Sequence, residues 1–235
     1  MPGDYVALSQ IILCVTFLVI CGVTTAVLLY LLSHVARKFF TRRVMRQNFR
    51  DDSIPVIGGW PFLCIGLAIV YDCITHGAFL RYPGDLPVGI VLVGFGLFGL
   101  IDDLYGDRSV GGFRGHFRRF FEEQDITTGF IKACGGGCVA LVAGYTIWVA
   151  LEFGAGFFSN GLTKYGPAGL MTIPFFALMI CLAANTINLI DTRPGRASTA
   201  SLIMLGITVL SFHVQEAYSL LICFGALGAI LVFDR

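Results

Sequence analysis

Leu86–Leu104 reads LPVGIVLVGFGLFGLIDDL, an uncharged run that closes on two adjacent carboxylates, Asp102 and Asp103. As a helix rising ~1.5 Å per residue it covers nearly all of the ~30 Å hydrocarbon core of a bilayer. The whole chain reads the same way. Of its 235 residues 56% are hydrophobic and 13% charged, with a mean hydropathy of +0.81. A soluble domain carries roughly 25% charged residues, so lipid is the expected solvent. Spans are expected near 6–34, 55–79, 86–104, 127–153, 167–190, 198–213 and 217–233. The predicted fold class is thus all-α, a polytopic bundle of about seven transmembrane helices forming a single domain over residues 1–235. The first span lacks a basic leader and is too long for a signal-peptide core.

Basic residues set the orientation. Arg37, Lys38, Arg42, Arg43, Arg46, Arg50, Arg108, Arg114, Arg118, Arg119, Lys132, Arg193, Arg196 and Arg235 fall on one predicted side, and Arg81 and Lys164 on the other. Fourteen against two places the rich side in the cytoplasm. The N-terminus is then outside and the C-terminus cytoplasmic. The run Arg37–Arg50 also suits anionic membrane lipids. A net charge of +1 gives no sign of a nucleic-acid partner. Cys14, Cys21, Cys64, Cys73, Cys134, Cys138, Cys181 and Cys223 all lie in apolar segments and read as small buried hydrophobes. Cys134 and Cys138 share a helix face, but nothing nearby completes a zinc set.

Asp102 and Asp103 sit where the helix dipole is already negative, so they repel each other and oppose the dipole at a cost of a few tenths to ~1 kcal/mol each. A hard divalent cation would relieve that repulsion, and Mg²⁺ takes one or two carboxylates plus phosphate oxygens. The alternative is a solvated helix end. Downstream, Leu182–Ala197 reads LAANTINLIDTRPGRA. Asn185, Asn188 and Asp191 recur every third residue and share one sector of a helix. Pro194 and Gly195 then break the helix, with Arg193 and Arg196 beside the carboxylate. Amides can read a sugar, base or phosphate, and arginines suit phosphate oxygens. Interhelical hydrogen bonding is the competing explanation for the amides.

The loop Gly111–Lys132, GGFRGHFRRFFEEQDITTGFIK, holds Arg114, His116, Arg118, Arg119 and Lys132. His116 reads as a surface histidine or a general base, and the Arg-Arg-Phe-Phe run as an interfacial amphipathic piece. Thr127 and Thr128 are helix-start residues. Lys132, one turn into the next span, either snorkels or holds an anionic substrate. Asp72, His76 and Glu152 read as structural.

In order, these motifs resemble a known family. Asn48 to Gly59 matches N-x-R-x(3)-IP-x(2)-GG, Gly99 to Asp103 matches GLIDD, and Asn185 to Asp191 matches N-x(2)-N-x(2)-D. The pattern is similar to the polyprenyl-phosphate N-acetylhexosamine-1-phosphate transferases, which include the phospho-N-acetylmuramoyl-pentapeptide transferases. GFRGH, TTGFIK and NLIDTRPGRA resemble most the bacterial subgroup called glycosyltransferase family 4. The resemblance covers residues 45–235.

It implies a multi-pass protein of the bacterial plasma membrane, its active face cytoplasmic. The implied reaction is attack of a polyprenyl phosphate on the β-phosphate of a UDP-sugar, giving polyprenyl-diphospho-sugar and UMP for cell-envelope glycan synthesis. It implies Mg²⁺ as cofactor, with Mn²⁺ as the alternative ion. Asp102, Asp103 and Asp191 become the catalytic acids, Asp103 and Asp191 the metal ligands, and Asn48, Arg114, His116, Lys132, Asn185, Asn188, Arg193 and Arg196 the substrate-binding set. Gly-rich stretches such as Gly135–Gly137 permit a homodimer.

Three departures stand beside the resemblance. Asp191-Thr-Arg-Pro-Gly195 replaces D-G-x-D-G, Gly106 and Asp107 stand where a lysine is expected, and the sequence stops at Phe233-Asp-Arg235. Family members continue with further spans, a metal-binding G-D loop and a late basic or His-rich cytoplasmic loop, so the chain is expected to be a C-terminally truncated member. The alternative reading is a non-catalytic membrane protein of the same fold that binds the lipid carrier or a partner enzyme. A transporter ranks last, because the polar groups gather at one face rather than at the midplane and no inverted repeat is visible.

Overall fold

Helix starts and stops follow local chemistry. The computed structural model describes residues 16, 19–20, 22–27, 30–31, 34, 45–47, 53–55, 59–76, 84–106, 112–153, 166–191, 195–211, 223 and 226–227. Two three-residue strands, β1 (Met45–Gln47) and β2 (Ser53–Pro55), pair antiparallel with Arg46 opposite Ile54. Helix α1 (Trp60–Thr75) then begins with Pro61 in its first turn, where a missing N–H costs nothing. Helix α2 (Asp85–Tyr105) has Asp85 at its positive N-terminal end and closes when the Gly106 N–H donates to the Asp102 carbonyl at 2.7 Å.

Helix α3 (Gly112–Arg118) continues into a π-helical turn, Arg119–Glu123, which stops at Gln124 in the left-handed region (φ 55°). Helix α4 (Thr128–Phe153) follows. A 3₁₀ turn (Gly166–Met171) leads into α5 (Thr172–Ile190), and Gly195, at φ 79°, precedes α6 (Arg196–Ser211). The backbone at 22–27 is helical, and most of the first expected span, 6–34, lies outside the described residues.

Helices α2, α4 and α5 supply three segments long and apolar enough to cross a membrane, Asp85–Tyr105, Thr128–Glu152 and Gly169–Ile190. These realise the spans expected at 86–104, 127–153 and 167–190. Only 6% of the α5 window is buried inside protein, so its apolar side chains, Phe175, Leu178 and Met179 among them, face outward. A chain with that much outward apolar surface belongs in lipid. The segment expected at 55–79 is shorter than read: Pro55 belongs to β2, and α1 has 16 residues. The last expected span, 217–233, lies largely outside the described residues.

The chain divides into two compact units, Ser33–Leu182 and Met1–Leu32 with Ala183–Arg235. Within the first, α1, α2 and α4 pack side by side in antiparallel order. Leu63 lies against Gly96, and Ile69 and Val70 against Gly89, while Val139 meets Gly94 and Phe98 meets Gly135. At Gly66 a Cβ would come 2.8 Å from the Leu92 Cβ and 2.9 Å from the Val93 backbone nitrogen. Only glycine lets the two backbones approach so closely, a packing mode suited to lipid, where helix association gains little from apolar burial. The antiparallel order brings the start of α1, the end of α2 and the start of α4 to one end of the unit. Asp102, Asp103 and Lys132 lie there.

Candidate functional site

At that end the last turn of α2 meets the first turn of α4. Thr128 Oγ1 donates to Asp102 Oδ1 at 3.0 Å, and Lys132 Nζ donates to Asp102 Oδ2 at 3.4 Å. Thr128 and Lys132 are four residues apart and share one face of α4, so both carboxylate oxygens are served from a single rigid surface. Asp102 and Lys132 are half-buried, with side-chain exposures of 35% and 38%. The repulsion expected at the end of α2 is therefore offset by an ammonium and a hydroxyl from the neighbouring helix. Asp103 is also half-buried and engaged in interactions of its own. At Gly106 a Cβ would fall against the Asp102 carbonyl oxygen and 2.9 Å from its Oδ1. A side chain at that position would crowd the carboxylate.

Thr127 is the N-cap of α4. Its Oγ1 accepts the Phe130 N–H at 3.3 Å and lies 2.8 Å from His116 Nδ1. All three groups are satisfied when the hydroxyl proton points at Nδ1 and the ring's own N–H is on Nε2. The His116 ring fills the space over Gly129 that a side chain there would need. Phe130 completes the dock. Its ring stacks on Phe120 at 4.1 Å and meets Phe117 edge-on at 5.1 Å. The histidine is thus held against the start of α4 by a hydroxyl and an aromatic cluster.

The outer face of α3 is polar. Arg118 pairs with Glu122 at 2.7 Å, and Arg119 with Glu123 at 3.2 Å and Asp125 at 3.7 Å. The Glu122 hydrogen bond and its charge raise the Arg118 guanidinium above the usual arginine range. Arg114 makes no ion pair with any described residue and lines an open groove with Gly115, Phe117, Arg118, Phe121 and Glu122. Of the residues singled out from sequence, Asp102, Asp103, Arg114, His116 and Lys132 therefore lie within one compact unit. Asp102 and Lys132 touch directly, and His116 reaches the same helix start through Thr127.

The other unit holds Asn185, Asn188, Asp191 and Arg196. Asn185 and Asn188 are exposed on the last turns of α5, and Asp191 follows it, its N–H donating to the Ile187 carbonyl at 3.1 Å. Arg196 opens α6 and is exposed. Asn48 and Arg193 lie outside the described residues.

Sequence alone marks Thr127 and Thr128 only as helix-start residues. Their added partners carried one usable signal, the four-residue spacing that puts Thr128 and Lys132 on the same face.

Among the described residues no three His, Cys, Asp or Glu side chains gather into a metal-binding cluster. The donor set at the end of α2 still fits Mg²⁺ chemistry in part, because this ion needs only one or two carboxylates when phosphate and water oxygens complete its octahedron.

Compared with protein-family models, with curated proteins and with solved structures, the chain matches none.

Proposed function

We propose that this chain transfers a phospho-N-acetylhexosamine from a UDP-sugar to a polyprenyl phosphate carrier at the cytoplasmic face of a bacterial plasma membrane, within a seven-span bundle whose N-terminus is outside and whose C-terminus is cytoplasmic. A lipid phosphate oxygen attacks the β-phosphorus, the bond from that phosphorus to the bridging oxygen breaks, and UMP leaves. One observation carries this reading: a half-buried aspartate at the end of an apolar helix, gripped by the hydroxyl and ammonium of the next long apolar helix, with a second aspartate beside it. Ionisable groups near membrane depth are expensive and read as functional.

Phosphoryl transfer depends mainly on positioning and on charge neutralisation. Asp102 and Asp103 serve the lipid phosphate, and Asn185, Asn188, Arg193 and Arg196 serve the nucleotide. Arg114, His116, Lys132 and Asn48 supply further contacts to anionic or sugar groups. Asp103 and Asp191 would hold Mg²⁺, or Mn²⁺, which would neutralise diphosphate charge.

The test is Mg²⁺-dependent UMP release from UDP-N-acetylhexosamine in membranes containing polyprenyl phosphate. Asp103→Asn and Asp191→Asn are each expected to lower the rate by roughly 10²-fold or more. Unchanged rates would refute the site.

The engagement of both Asp102 oxygens favours a second reading, a non-catalytic protein of the same fold in which the carboxylate joins two helices. It expects polyprenyl phosphate to bind without any UMP being formed.

A further inference from the structure

We propose that Thr128 is a positioning residue of the site, fixing the plane of the Asp102 carboxylate, with Lys132 completing the hold. The terminal torsion of an aspartate is broad and two-fold, so its rotamer alone does not aim the oxygens. Two donors, one on each oxygen, do. Thr128 Oγ1 reaches Oδ1 at 3.0 Å and Lys132 Nζ reaches Oδ2 at 3.4 Å.

The two donors differ in what they contribute. Lysine is a point charge on a flexible four-carbon stem and tolerates many geometries. Threonine is β-branched and stiff at its first torsion, and here it sits in the first turn of a 26-residue helix. The hydroxyl therefore sets direction, and the ammonium adds charge. Gly106 leaves the room that this carboxylate orientation occupies, since a Cβ there would stand 2.9 Å from Oδ1.

The kinetic consequence rests on the transferase reading, whereas the contact itself does not. Two measurements on the full chain keep them apart. For UMP release, Thr128→Val is expected to lower kcat by roughly tenfold to a hundredfold with KM for the UDP-sugar near wild type, and Thr128→Ser to restore most of the loss. In detergent, Thr128→Val is expected to lower Tm by about 2–4 °C in the wild-type background, and to leave Tm unchanged in an Asp102→Ala background. Full activity in Thr128→Val, or a serine variant no better than the valine one, overturns the positioning role. An equal Tm shift in both backgrounds overturns the contact. Should the wild-type chain release no UMP, the transferase reading fails, and the Tm comparison still decides whether Thr128 holds Asp102.

Discussion

Lys132 and Asp102 stand 3.4 Å apart, Nζ to Oδ2, across 30 residues of sequence and between two helices each long enough to cross a membrane. A cation from the start of α4 thereby meets the negative end of α2, where the helix dipole and two adjacent carboxylates would otherwise add unfavourably.

Lys132→Met should therefore weaken the seam between α2 and α4. Both side chains are somewhat more than a third exposed, which discounts the pair to about 0.5–1 kcal/mol. A fall in Tm of about 1–4 °C is the matching thermal shift. The same substitution in an Asp102→Ala background should cost nothing further. Identical losses in both backgrounds would show that Lys132 stabilises through its stem rather than its charge.

Thr127→Ala removes the cap of α4 and the partner of His116 together. Loss of a threonine cap costs about 1 kcal/mol, so the amides of Gly129, Phe130 and Ile131 should exchange with solvent about fivefold faster. Hydrogen exchange read by mass spectrometry checks this. Unchanged exchange over 128–131 would mean that the cap is not holding the helix start.

Phe130→Ala should release the α3 segment from α4. The substitution removes the stacked Phe120 contact and the edge-on Phe117 contact, each aromatic pair contributing about 0.5–1.5 kcal/mol beyond the area it buries. Tryptic cleavage after Arg118 or Arg119 should accelerate. Cleavage at the wild-type rate would place the anchoring of this segment elsewhere.

The three long spans were legible because their signal is length and hydropathy, and neither needs tertiary knowledge. The helix start at Thr127–Thr128 was legible too, since a hydroxyl before an apolar run is a local signal. The beginning of α1 was not. Ile54 and Pro55 read as the mouth of a helix, yet they pair with Met45 and Arg46 as a short ribbon, a contact set by residues eight to ten positions away. The partners of Asp102 were equally hidden: a run of apolar residues ending in two aspartates does not say which neighbour, 26 and 30 residues on, will supply the donors. The Asn185–Asp191 ladder is legible as a face of α5, but what that face meets is a matter of tertiary packing and not of spacing.

The proposal as a whole stands on Asp103 and Asp191 serving one ion on one side of the bilayer. In a cysteine-free chain carrying Asp103→Cys and Asp191→Cys in sealed vesicles, a short bismaleimide tests this directly. The two thiols should react from the cytoplasmic side and become joined within one chain. Thiols that react with an impermeant maleimide from opposite sides, or that never cross-link, would contradict it.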